Sequence, residues 1–237
     1  MQLPSLTASS QAYFLYCDYI DGAVEAWEDA GVLTARQQQT VREIGEMLRS
    51  AVSNLRTAVS ATRAAERTAN RARARFHVRD VVLDQRVFAL SDAVLNGPAG
   101  KSREHSLYRQ IFRDQNANEI TRVRMRDEPE VVARLLDRLD AAADFEGKVQ
   151  SRVHLQQALQ KSLVARSALD AAEQAEHKTA DGELTARRLL RTVIEQLYGK
   201  LRAVFPGQRD FVESFFPPQD GGSGPGTNTP QGGGAAR

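Results

Sequence analysis

The sequence predicts an all-α protein: an elongated antiparallel hairpin of two long, coiled-coil-like helices, with a small helical head and a disordered C-terminal tail. Three observations predict it. Val41, Ile44, Leu48, Ala51, Leu55, Ala58, Thr62, Ala65, Ala69, Ala72 and Phe76 recur in steps of three and four, an unbroken heptad seam. A second stretch of closely matching length, from about Phe145 to Ala203, carries an apolar series of its own. The two are separated by Asn96-Gly97-Pro98-Ala99-Gly100, which stops any helix.

Taken in order, residues 1–34 comprise a polar arm and an aromatic helix. Residues 1–12 hold Pro4 and Ser/Thr-rich turns and read as a loose arm. Tyr13, Phe14, Tyr16, Tyr19, Ile20, Val24 and Trp27 then fall close to helical spacing, and Gly31 ends that helix. Thr34 is placed to cap the first long helix, residues 35–95, at about 1.5 Å per residue some 90 Å of helix. Its seam slips by one residue after Phe76 and resumes at Asp80, Leu83, Val87, Leu90 and Val94, a skip that retwists a helix rather than ending it. A break near His77 is the alternative.

Residues 96–141 read as a compact head. Leu107, Tyr108, Ile111 and Phe112 suggest a short helix, and Ile120, Val123 and Met125 alternate with polar residues as in an extended stretch. Asp127 and Pro129 then open a helix whose apolar face is Val131, Val132, Leu135, Leu136 and Leu139. The second long helix, within 142–203, presents Val149, Val153, Leu159, Leu163, Leu169, Ala172, Leu184, Leu190, Ile194, Leu197 and Leu201, less regularly than the first. Residues 204–218 form an aromatic cap with Phe211, Val212, Phe215 and Phe216, and 219–237 are too rich in Gly, Pro, Ser and Thr to build a core.

An antiparallel pairing of the long helices requires paired positions to sum to roughly 240. Ala58 to Ala74 then faces Ala165, Ala168, Ala171, Ala172, Ala175 and Ala180, and small residues opposite small residues let helix axes approach closely. The same register sets Arg63, Arg67, Arg71, Arg75 and Arg79 against Asp170, Glu173 and Glu176.

Composition excludes several functions. With 32 Lys and Arg against 30 Asp and Glu, the net charge of +2 offers no chain-wide attraction for nucleic acid or an anionic membrane. One cysteine, Cys17, cannot form an intramolecular disulfide. No signal-like segment and no apolar run of spanning length is visible, so a cytoplasmic, non-membrane protein is expected. The four histidines lack the Glu-x-x-His pairs of a di-iron bundle, and no nucleophile elbow or glycine-rich phosphate loop is present. No catalytic residue, metal ligand or cofactor is expected.

Two features carry interaction potential. Arg63, Arg67, Arg71, Arg75 and Arg79 recur every four residues, which reads as a phosphate-binding stripe or as an intramolecular partner for the acidic face. A four-residue step drifts by about 40° per repeat, so the stripe winds around its helix. Tyr13, Phe14 and Trp27, with Phe211, Phe215 and Phe216, read as a docking surface or as two aromatic groups that bury each other at the open end of the hairpin. A polar cluster in the head, Tyr108, Arg122, Arg124 and Asp127, is the one suggestion of an enzymatic site.

The Ala/Arg-rich first helix with Asp80 and Asp84, the segment Phe112-Arg113-Asp114 to Arg126, Glu130 with Leu135-Leu136 and Arg138-Leu139, and the ending Leu197-Tyr198 through Phe205-Pro206-Gly207 to Val212-Glu213-Ser214-Phe215-Phe216 carry a resemblance. Over about residues 35–216 the layout resembles a group of uncharacterised, all-helical coiled-coil proteins of bacteria, of the myxobacterial type. The resemblance implies a helical fold and transfers no activity. The expectation is a non-enzymatic structural or scaffold protein that binds itself or a protein partner, with a nucleic-acid-binding rod as the alternative.

Overall fold

The computed structural model describes residues 3–218, and among them every regular element is helical. The order is α1 (Ser10–Asp29), α2 (Ala35–Asn96), α3 (Ser106–Phe112), α4 (Ala117–Ile120), α5 (Glu128–Ala141), α6 (Lys148–Val204) and α7 (Arg209–Glu213). The expected tail, 219–237, lies outside the described residues.

Local chemistry sets the helix ends. Ser9 caps α1 by accepting a hydrogen bond from the Ala12 amide at 3.2 Å, and Gly31, at φ +68°, turns the chain where a side chain would be strained. Thr34 Oγ1 accepts from the Gln37 amide while Gln37 Oε1 accepts from the Thr34 amide, a reciprocal cap that opens α2. α2 then runs for 62 residues without interruption, so the skip at His77 is absorbed inside one helix. Asn116 and Glu119 make a second reciprocal cap.

The chain forms two compact units, one of residues up to Val59 and from Gly182, the other of residues 60–181. In the first, α1, the start of α2, the end of α6 and α7 enclose a core that includes Tyr13, Ile20, Ile44, Leu48, Leu55, Ile194, Leu197, Leu201 and Phe215. In the second, the α3–α5 head packs on α2 and α6. Leu83, Val87, Leu90, Ile111, Phe112, Ile120, Val132, Leu135, Leu139 and Leu155 lie in one cluster, and Ala69, Ala72, Phe76, Leu169 and Ala172 in a thinner one. There Thr62 Oγ1 donates to the Thr179 carbonyl at 3.1 Å, the antiparallel register near 240. Apolar burial at roughly 25 cal/mol per Å² is the main attraction in each core.

Four expectations are corrected. Residues 3–9 are held rather than loose: Arg191 donates to the Pro4 carbonyl at 2.6 Å, Arg187 to the Ala8 carbonyl at 2.8 Å, and Tyr13 to the Ser5 carbonyl at 3.2 Å. The stretch from Ile120 to Met125 is not extended; α4 closes at Ile120 and turns follow, because Ile120 is drawn into the head core while Arg122 and Arg124 stay in water. α6 begins at Lys148, after Gly147 at φ +84°. Val149 and Val153 do not belong to the inward seam; Leu155, Ala158 and Ser162 join the expected Leu159 there.

Candidate functional site

The aromatic residues at the chain ends meet each other within the first unit. Trp27 packs against Phe211, tilted at 4.3 Å between ring centroids, and stacks with Phe215 at 6.3 Å, and its Nε1 donates to Ser214 Oγ at 3.0 Å. Phe205 and Phe211 are 4.2 Å apart, and Tyr198 meets Phe216 edge-on. Tyr13, Phe215 and Phe216 are fully buried; Phe14, Trp27 and Phe211 are half-buried, with the Arg56 guanidinium 5.7 Å from the Phe14 ring. Of the two readings of these six residues, mutual burial describes Trp27 with Phe211 and Phe215, while Phe14, Trp27 and Phe211 keep part of their surface in water. Cys17 lies in the same core, where burial, aided by Asp18 and Asp21, pushes its thiol up to about 12.

The arginine stripe does not make the expected ion pairs. Glu173 and Glu176 bond to Arg73, at 3.2 and 2.7 Å, and Asp170 and Glu173 bond to Arg126, at 2.8 and 2.6 Å. Arg73 lies off the four-residue series, and Arg126 comes from the head, so both approach the acidic face of α6 from better angles than the winding stripe. Arg63, Arg67, Arg71, Arg75 and Arg79 are all exposed. Arg75 and Arg79 border a shallow groove floored by Ala72, Val164, Ala165 and Ala168. The polar cluster suggested for the head is not brought together: Tyr108 is buried against Phe112, 4.6 Å between centroids, whereas Arg122, Arg124 and Asp127 are exposed.

Large apolar side chains face water instead. On α6 of the second unit, Val149 is 76% exposed, Val164 is 62% exposed, and Val153 lies between them. At 100° per residue the three share an arc of about 60°. In the first unit Leu15 and Tyr19 of α1 and Leu189 of α6 are exposed.

One cluster of chemistry-bearing residues escaped the sequence reading. Asp80 and Asp84, one turn apart on α2, and Glu128, the first residue of α5, each place a carboxylate oxygen so that all lie within 4.8 Å of one another. Glu128 is only 1% exposed; the aspartates are half-buried. Asp80 Oδ1, Asp84 Oδ1 and Glu128 Oε1 face no donor outside the cluster, and none of the ion pairs among the described residues reaches them. Burial, reinforced by the aspartates, pushes the Glu128 carboxyl far above the ordinary carboxylate range. Burial also raises Asp84, with the charge of Asp80 adding to it and a hydrogen bond from Glu128 opposing. The signal was present: Asp80 sits at a seam position, where an acid without a basic partner is costly.

Compared with protein-family models, curated proteins and solved structures, the chain matches none. No helix of the described residues is long and apolar enough to cross a membrane.

Proposed function

We propose that this is a non-enzymatic helical scaffold that binds a protein partner, or a second copy of itself, through the outer face of α6. The observation that carries this reading is the row Val149, Val153 and Val164, three branched apolar side chains on one exposed arc. Scattered exposed apolar residues are ordinary, but Val149 and Val153 are one turn apart and Val164 returns to the same arc after Gln156 and Gln160, and anchors in phase on one helix are a form in which helices recognise other helices. Sedimentation of the full chain over a range of concentrations, with partner capture alongside, tests it. Wild type is expected to self-associate or retain a partner, and V153D/V164D to lose that association while keeping its helical circular dichroism. A wild-type chain that stays monomeric at high concentration and captures nothing sinks the proposal.

A second reading, a nucleic-acid-binding rod, is favoured by one observation: the stripe Arg63, Arg67, Arg71, Arg75 and Arg79 is exposed while Arg73 and Arg126 occupy the neighbouring carboxylates. Binding of duplex DNA or RNA at modest salt, weakened by R67E/R71E, supports it, with a salt slope that falls as those two phosphate contacts are removed. Equal binding by the variant rules it out.

A further inference from the structure

We propose that Asp80, Asp84 and Glu128 form a binding site for one hard divalent cation, Mg²⁺, Mn²⁺ or Ca²⁺. The donor set is all oxygen, with no imidazole or thiolate, which selects hard ions over zinc or copper. Ligand oxygens sit at about 2.0–2.6 Å from such ions, so oxygens no more than 4.8 Å apart can bind one centre together.

Exposed acids often gather without an ion, but Glu128 is not exposed. It comes from a different helix, is 1% exposed, and aims an oxygen with no outside donor at the two aspartates. A buried carboxylate facing two others loses hydration and gains repulsion, and without a counter-charge its placement is unfavourable. A divalent ion supplies that counter-charge and uses oxygens that no donor outside the cluster meets. Asp80 and Asp84 are half-buried, so the site lies nearer the surface than Glu128 alone would put it. Occupied, the site ties the first turn of α5 to the C-terminal third of α2 and so fastens the head of the second unit.

The site does not depend on the scaffold reading; it concerns a different surface and a different ligand. The test uses the full chain, stripped with EDTA and dialysed, then titrated separately with MgCl₂, MnCl₂ and CaCl₂ by calorimetry and followed by thermal unfolding. At least one ion is expected to bind saturably at about one equivalent per chain and to raise Tm, as any ligand of the folded state does. E128Q and D80N/D84N, near-isosteric changes, are expected to weaken that binding at least tenfold. D144N, whose carboxylate is fully exposed elsewhere, is expected to keep it. No saturable binding of any of the three ions by wild type overturns the site, because the carboxyls then satisfy one another by sharing protons only. Undiminished binding in E128Q, or equal loss in D144N, also overturns it. Should E128Q fail to fold by circular dichroism, D84N, at a half-exposed position, gives the same decision.

Discussion

Burial decides what single residues can do here. Cys17 is 1% exposed and its thiol is pushed up to about 12, so the thiolate that performs cysteine chemistry is nearly absent at neutral pH. Against an unfolded thiol near 8.5, the thiolate fraction at pH 8 falls by roughly a thousandfold. Alkylation of the native chain is accordingly expected to be slower than that of the urea-unfolded chain by at least about that factor. Rapid native labelling would show that the core around Cys17 opens. Trp27 offers a second readout, because it is the only tryptophan and lies against Phe211 and Phe215. F211A removes a ring 4.3 Å from the indole and is expected to cost about 2–4 kcal/mol, given partial exposure, and to red-shift the native emission. An unchanged emission maximum would place the indole in water already.

At the scale of elements, two glycines inside long helices separate propensity from packing. Each costs about 1 kcal/mol relative to alanine in an isolated helix. Gly182, inside α6, has nothing within 4 Å of an added Cβ, so G182A is expected to stabilise by about 0.5–1 kcal/mol. Gly45, inside α2, is different. A Cβ there would lie 3.0 Å from Val24 Cγ1, on a fully buried, β-branched side chain of α1 that cannot easily turn aside. G45A is expected to lower stability by about 1 kcal/mol, overpacking outweighing the gain in propensity; a rise in denaturant midpoint equal to that of G182A would refute the close approach. The sequence alone presents both positions as the same weak point. The ends of α1 and α2 were legible because Thr34, Gly31 and the Asn96–Gly100 stop act locally. The turn at Ile120–Met125 and the outward face of Val149 and Val153 were not, because they depend on which neighbour claims each side chain. The carboxylate triad joins α2 to α5 across 44 residues, a separation at which periodicity is silent, and only the acid in the seam marked it.

For the molecule as a whole, the antiparallel register was legible through alanine and not through charge. Small residues meet because close packing of α2 and α6 demands it, as in the cluster of Ala69, Ala72, Phe76, Leu169 and Ala172. Charges at the surface have freedom to choose, and Arg73 and Arg126 took the acids assigned to the stripe. Among the described residues, the buried apolar side chains of each unit form clusters of their own. The first unit has its own cluster, and the second has a thick one under the head and a thin, alanine-rich one. Clusters of unequal thickness open at unequal free energies, and local openings follow the cluster that is weakened. L135A and L197A each remove a fully buried leucine, from the second and the first unit respectively, at an expected cost of about 2–5 kcal/mol. Amide hydrogen exchange resolved by mass spectrometry should then divide along the same line. L135A is expected to raise exchange in α3, α5 and the first half of α6 while α1 and α7 keep their protection. L197A is expected to do the reverse. Exchange that rises evenly through both units in either variant would mean that the clusters open as one cooperative body, despite the division of their cores.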